Sequence, residues 1–412
     1  MKSLKELYKI GRGPSSSHTM GPSKAAKTYA QRHPEAKGFE VTLYGSLSAT
    51  GKGHLTDVAI KDMLEPVAPV EIVWSKEFLP YHPNAMKFAV RAEDGSLQDE
   101  WTVYSVGGGT LSEGEADVLT ETPEVYPLNT MKGIQEWCEA NGCSYWEYVE
   151  ACEGPEIWDY LETIWKVMQN SVEDGLQNEG VLPGPIHLQR KATVYYVKAN
   201  GYKPSLQSRG LVHAYALAVS EQNAAGGTIV TAPTCGSSGV MPAVMYHMKH
   251  GHNFSDKRIL RALATGGLFG NVVKQNASIS GAEVGCQGEV GVACAMAAAA
   301  VCQLFGGTPA QIEYAAEMGL EHHLGMTCDP VCGLVQVPCI ERNAFAATRA
   351  LDANFYAMFS DGRHIVSFDD VVKVMKQTGH DLPNLYKETG IGGLAASFVQ
   401  AADLTRKDTV DN

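Results

Sequence analysis

The spacing of apolar positions changes character along the chain. Up to residue 105 they fall in short runs, 39–44, 70–74, 86–92 and 100–105, bounded by Gly, Pro or polar clusters, which predicts β-strands. Between these runs, residues 56–64 predict a helix stopping before Pro66, and residues 21–30 predict another, opening at Gly21-Pro22. Residues 4–10 form a short apolar lead-in. Further on, the repeat becomes three to four. Trp158, Leu161, Ile164, Trp165, Met168, Val172 and Leu176 share one helical face that stops near Gly180. Helices are also predicted over 211–225, 241–249, 258–275, 290–304, 310–324, 341–359 and 368–377, with a brief extended piece at 229–231. Pro309 suits a first helical position and Gly325 a stop, while Ser367 is a cap with Asp370 three residues on. The pattern predicts an α+β small N-terminal domain over 1–125, a linker over 126–155 announced by Thr-Pro and Tyr-Pro, and an all-α catalytic domain over 156–404.

Composition narrows the setting. A chain of 412 residues has room for two domains and a sizeable core. Its 33 basic against 46 acidic residues give a net charge of −13, which disfavours nucleic acid or an anionic membrane as partner. The start, MKSLKELYKIGRG, does not read as a secretion signal, and the most apolar run, 290–304, is Ala-rich and short for a bilayer. Ten cysteines without a signal peptide point to a reducing compartment, so a cytoplasmic protein is expected.

Three of those cysteines share a setting. Cys286 lies between Gly285 and Gln287-Gly288, Cys328 precedes Asp329-Pro330, and Cys339 follows Pro338. At such breaks backbone N–H groups are free to bond a sulfur instead of a helical partner. Cys294 and Cys302, inside the Ala-rich run, read instead as small packing residues. Three thiolates from two distant loops would leave a metal centre one open position, as catalytic sites require. Spacing alone does not separate this from cysteines buried as small hydrophobes, nor zinc from an iron–sulfur cluster.

Two loops are rich in hydroxyls and backbone donors. Ser15, Ser17 and His18 lie in Gly-Arg-Gly-Pro-Ser-Ser-Ser-His-Thr, ahead of a helix; Thr234, Gly236, Ser237 and Ser238 lie in Thr-Cys-Gly-Ser-Ser-Gly, ahead of another. Each suits an anion such as a substrate carboxylate, and each also suits an ordinary capped helix start. Cys235 reads as a packing residue, with no base adjoining it. Gly51 and Gly53 flank Lys52, but the P-loop spacing is missing, so nucleotide binding is a weak reading. His54 follows in the same Gly-rich turn, where backbone can approach a ligand closely. Asn276, Ser278 and Ser280 precede the first cysteine loop and are candidates to line a pocket. Arg342 is a candidate charge partner for the thiolates.

GAEVGCQGEVG, followed by CDPVCGLVQVPCIERN, resembles the catalytic domain of the iron–sulfur L-serine dehydratases. GRGPSSSHTMGP, LYGSLSATGKGHLTD and YSVGGG resemble the small domain of the same family, so the likeness covers most of the chain in order. It implies a [4Fe–4S] cluster held by Cys286, Cys328 and Cys339, its fourth iron free for substrate. It also implies conversion of L-serine to pyruvate and ammonia. In that picture His54 is the base and His18 orients substrate or the proton path. Ser15, Ser17, Thr234, Gly236, Ser237, Ser238 and Asn276 bind the substrate, and a homodimer is expected. Two departures stand out. Cys332 falls where a small non-ligating residue is expected, and residues 401–412 contain no thiol, whereas some members end in a cysteine. The resting fourth iron is therefore expected to carry water or hydroxide. Two alternatives remain open at this point. A pyridoxal-phosphate lyase would use Gly236–Gly239 and Lys274 but leave the loop cysteines unexplained. A zinc-stabilised amino-acid sensor would close a four-thiolate site with Cys286, Cys328, Cys332 and Cys339.

Overall fold

A computed structural model of the protein describes residues 1–92, 94–114 and 123–398. The alternating runs pair into a sheet. β1 (Ile10–Arg12) is followed by α1 (Gly21–Arg32), β2 (Phe39–Leu43), α2 (Gly45–Thr50), α3 (Thr56–Leu64), β3 (Val70–Trp74), β4 (Ala85–Arg91), β5 (Leu97–Ser105) and β6 (Leu111–Ser112). The five-stranded sheet has the order β3-β2-β4-β5-β6 and is parallel only between β2 and β3, which are joined by the α2–α3 crossover that parallel strands require. Its apolar face, with Phe39, Val41, Leu43, Phe88 and Val103, closes on Ala25, Ala26 and Tyr29 of α1 and on Ile60 and Leu64 of α3. That is a core of its own, so the small α+β unit is self-supporting in this respect.

Among the described residues, the rest is helical apart from one short strand. The elements are α4 (Met131–Asn141), α5 (Tyr145–Glu153), α6 (Ile157–Gln177), α7 (Ala192–Asn200), α8 (Pro204–Ala224), β7 (Thr228–Val230), α9 (Val240–Gly251), α10 (Asp256–Asn276) and α11 (Gly281–Val284), then α12 (Val290–Leu304), α13 (Pro309–Glu321), α14 (Cys339–Met358) and α15 (Phe368–Asp381). α12 is the axis, packed against α9, α10, α13 and α14. Small residues let its neighbours approach: a Cβ on Gly319 of α13 would stand 2.9 Å from the Ala295 Cα. Among the described residues, Cys286–Leu304 is the one helical stretch apolar and long enough to cross a membrane, but 89% of its window is buried inside the protein. Its apolarity serves the core, and Cys294 and Cys302 are buried there as small packing residues. Ser367 caps α15 as expected, its Oγ accepting from Asp370 N at 3.2 Å and donating to the Asp370 carboxylate at 2.7 Å.

Three features differ from expectation. Residues 126–155, read as a linker, contain α4 and α5, whose Met131, Ile134, Cys138, Tyr145, Tyr148 and Val149 lie in the main core. The prolines at 123 and 127 precede the helices instead of spacing domains; Thr130 caps α4, and Ser144 with Glu147 forms a capping box on α5. These helices bury aromatic and sulfur side chains over only two or three turns, too short for a clear periodic signal. Second, α7 was not anticipated, because Val194, Tyr195, Tyr196 and Val197 run consecutively without a polar face, and all four are exposed. Third, the first residues belong to the helical core. Leu4, Leu7 and Tyr8 pack there, Tyr8 donates to the Leu263 carbonyl at 2.9 Å, and β1 pairs antiparallel with β7. This anchoring fixes the turn that carries His18 against the helical domain.

Candidate active site

The three loop cysteines converge. Cys286 follows Gly285 (φ 73°) in the turn between α11 and α12, Cys328 lies in the loop after α13, and Cys339 opens α14. All three are buried, whereas Cys332 is exposed at φ 55°. The thiols of Cys286 and Cys328 and the carboxylate of Glu289 lie within 4.8 Å of one another, a set able to hold a metal. A Cβ on Gly281 would come within 2.7 Å of Glu289 Oε2 and 3.3 Å of Cys328 Sγ, so glycine there keeps room beside the sulfurs. Arg342, one turn into α14, donates to Thr327 O at 2.6 Å and to Asp329 Oδ1 at 3.4 Å. A hydrogen bond from the Cys328 thiol, aided by Arg342, pulls the Cys286 thiol down against the effect of burial. Cys328 is pushed up correspondingly by sharing that proton and by burial, and Cys339 is pushed up by burial and by charge on Cys286. Burial and then Cys286 raise Glu289.

The small domain brings two histidines to the same place. Gly53 makes this possible, for a Cβ there would meet Gly333 O at 2.7 Å and Cys332 O at 3.1 Å. Main chain of the GKGH turn thus lies directly on main chain of the second cysteine loop. His18 is fully buried, with Ser17 Oγ 2.9 Å from its Nδ1 and Ser46 Oγ 3.1 Å from its Nε2. Ser46 donates its one proton to Glu388 O at 2.9 Å, so it accepts from His18 Nε2, and Nδ1 accepts from Ser17. The same logic fixes His54. Thr50 Oγ1 donates to Ser46 O at 3.0 Å and therefore accepts from His54 Nδ1 at 3.2 Å. His54 Nε2 then keeps its lone pair, buried and with no hydrogen-bond partner among the described residues. Burial pulls His54 down to about 4 and, with His54 beside it, His18 well below the usual range. Both rings are neutral near pH 7, 4.4 Å apart and tilted by 46°.

The other residues singled out in the sequence divide into groups. Ser15 Oγ accepts from His18 N at 3.1 Å and touches Ser17 Oγ at 3.2 Å, so both serines organise the His18 turn. Thr234 donates to Glu289 Oε1 at 2.7 Å and meets Ser237 Oγ at 3.1 Å, while a Cβ on Gly236 would stand 3.1 Å from Glu289 Oε1. Asn343 ties this loop to α14, donating to Gly236 O and Cys339 O at 2.8 Å each. Ser238 Oγ and Ser280 Oγ are buried with no partner among the described residues. Ser278 hydrogen-bonds Glu283. Asn276 is engaged differently, its Nδ2 donating to Asn129 O at 2.5 Å. Cys235 is buried with its sulfur 3.4 Å from Met20 Sδ, and burial pushes its thiol up, which suits packing and not attack. Lys274 donates to Glu6 O at 2.8 Å in the N-terminal segment, whereas Gly236 faces Glu289, so the two parts of a pyridoxal-phosphate site have different neighbours. Glu289, Glu388, Ser46, Thr50 and Asn343 were missed. Glu289 alone carried a local signal, three residues after Cys286.

A family profile described as "Serine dehydratase alpha chain" matches residues 82–395, and one described as "Serine dehydratase beta chain" matches residues 3–74. The chain belongs to the serine dehydratase family. It is 40% identical to an L-serine dehydratase of Streptomyces coelicolor, covering 97% of this chain and 99% of that one. It is also 40% identical to the Haemophilus influenzae L-serine dehydratase (97% and 100% covered) and 35% identical to that of Helicobacter pylori (96% and 99% covered).

In this serine dehydratase chain the break between the two profiles, 74 to 82, falls inside the five-stranded sheet, after β3 and before β4. Strands from both parts are hydrogen-bonded neighbours, since β2 lies between β3 and β4. Beside the histidines opens a cleft of about 460 Å³, between residues 78–83 and the Ser278–Val284 turn with α15. Ser46, which hydrogen-bonds His18, and Thr389, next to Glu388 in the chain, are among the residues that line it.

Proposed function

We propose that the protein removes water and then ammonia from L-serine to give pyruvate, using a [4Fe–4S] cluster held by Cys286, Cys328 and Cys339. The observation that supports this is the meeting of the buried Cys286 and Cys328 thiols, with buried Cys339 electrostatically coupled to Cys286, and the packing of the turn that carries the unpartnered His54 Nε2 onto the second cysteine loop. The donor set fits the group: three buried thiols, with Gly281 leaving room beside Cys328, and the Arg342 guanidinium to balance thiolate charge. When bound, the cluster's open iron supplies Lewis acidity to the β-hydroxyl.

The chain's own residues do the rest. His54 Nε2 carries a lone pair and accepts the Cα proton, and Thr50 holds the opposite nitrogen in the matching tautomer. His18, fixed between Ser17 and Ser46, packs at a tilt against that ring and sets its position. The loops of Ser15–Ser17 and Thr234–Ser238 offer hydroxyls and backbone donors to the substrate carboxylate. The released aminoacrylate tautomerises and hydrolyses without further help. The zinc sensor has less support, because Cys332 is exposed whereas the other three thiols are buried. The same reading takes the enzyme as a cytoplasmic homodimer. Phe345, Phe355 and Tyr356 stand exposed along α14, with Phe359 exposed just past its end, a stripe suited to a second subunit. The test is anaerobic purification with iron and sulfide analysis, alongside pyruvate release from L-serine. About four irons and four sulfides per chain with turnover support the proposal; one zinc and no pyruvate overturn it.

A further inference from the structure

Glu388 has no task in the mechanism above, yet the fold fixes it from several sides. Cys328 N donates to Tyr386 O and Glu388 N donates to Cys328 O, each at 2.8 Å, strapping this segment onto the second cysteine loop. Ser46 of the small domain donates to Glu388 O at 2.9 Å, and Leu394 N donates to Asp329 Oδ2 at 2.9 Å. Glu388 itself sits at φ 58°, a conformation that residues other than Gly seldom take and that tends to be retained at functional sites. The side chain is 7% exposed, and its Oε2 has no hydrogen-bond partner among the described residues.

What faces that carboxylate is informative. Its Oε1 lies 3.4 Å from His18 Nδ1 and 4.0 Å from His54 Nε2. Both His18 nitrogens are already served by hydroxyls, so His18 does not need it. That also weakens a metal site built on His18, His54 and Glu388, since only two of the three residues retain an uncommitted ligand atom. There remain two buried, unpartnered polar atoms, His54 Nε2 and Glu388 Oε2, on side chains that stand 4.0 Å apart at Nε2 and Oε1, too wide for a hydrogen bond. A tetrahedral carbon bearing both an acidic C–H and a cationic nitrogen satisfies both at once. We infer that Glu388 receives the substrate's α-ammonium group, on the same carbon whose proton His54 takes, and so restricts the site to α-amino acids over 2-hydroxy acids. This deepens the proposed serine chemistry and rests on it.

The test compares two unreactive ligands that differ only at this group, L-alanine and L-lactate, by calorimetric titration of anaerobic holoenzyme and of Glu388→Gln. Wild type is expected to prefer L-alanine at least about tenfold. The variant should weaken L-alanine about ten- to hundredfold, leave L-lactate within about twofold, and raise the KM for L-serine with iron content unchanged. Glu388→Asp should recover part of the preference. Equal weakening of both ligands would mean a purely structural role, and unchanged L-alanine affinity would mean no contact; either overturns the inference. If wild type prefers L-alanine but releases no pyruvate from L-serine, the serine reading fails while the ammonium contact stands.

Discussion

Gly53→Ala tests the contact that brings the two domains' chemistry together. Gly53 does not lie in the left-handed region, so alanine fits its backbone. A stiffer unfolded chain would then favour alanine by about 0.4–1 kcal/mol. Against this, the new Cβ would sit 2.7 Å from Gly333 O, 3.0 Å from Gly333 C and 3.1 Å from Cys332 O, all main chain that cannot rotate away. Relief needs a retreat of roughly half an ångström, and overpacking of this kind costs about 1–3 kcal/mol. The net loss of stability is about 1–2 kcal/mol, a shift of only a few degrees for a chain of this size. Activity should report far more. The retreat moves His54, the next residue, and misplacement by 1 Å costs about a hundredfold, so half of that predicts roughly a tenfold drop in kcat. The assay is pyruvate release at saturating L-serine with iron content measured in parallel. Gly201→Ala serves as control, since φ there is −85° and its nearest contact is an ordinary 3.4 Å to Lys198 O. If Gly53→Ala keeps wild-type kcat and melting temperature, the main-chain contact does not position His54 and the argument fails.

Other outcomes follow from the same geometry. Alanine at Cys286, Cys328 or Cys339 should abolish iron retention while Cys332→Ala retains it; loss of iron from Cys332→Ala alone would favour a four-thiolate site. His54→Ala should keep the cluster spectrum and lose about 10²–10⁴ in kcat, and near-normal turnover would move the base to His18. Burial pulls His54, His247 and His323 down to about 4, whereas unfolded histidine titrates near 6.5. The unfolded chain therefore binds these protons first, and stability should be full above about pH 6.5 and fall towards pH 4, by up to about 3 kcal/mol per histidine. Melting temperatures across that range check this, and a flat profile would refute it. Finally, deleting residues 405–412, which lie outside the described residues, should leave KM, the pre-steady-state lag and the rate of air bleaching unchanged. A lag relieved by truncation would show that the tail occupies the open iron.

Much of this protein was legible residue by residue. Strands β2 to β5 and helices α6 and α15 follow from spacing, because each buries one face, while α12 follows from an unbroken apolar run, because it is buried on all sides. The thiols stood out for a local reason too, each sitting at a Gly- or Pro-marked break in the chain. What spacing could not show is who meets whom. β1 joins β7, α4 and α5 fill the core where a linker was expected, and Glu388 meets the small domain through Ser46, 342 residues away. Nor does sequence reveal that His54 Nε2 keeps its lone pair, which depends on Thr50 having already given its proton to Ser46 O. Periodicity records which side of an element is dry. Partners, tautomers and the orientation of a lone carboxylate are set only when distant segments close on one another, since each depends on hydrogen bonds that exist in the packed state alone.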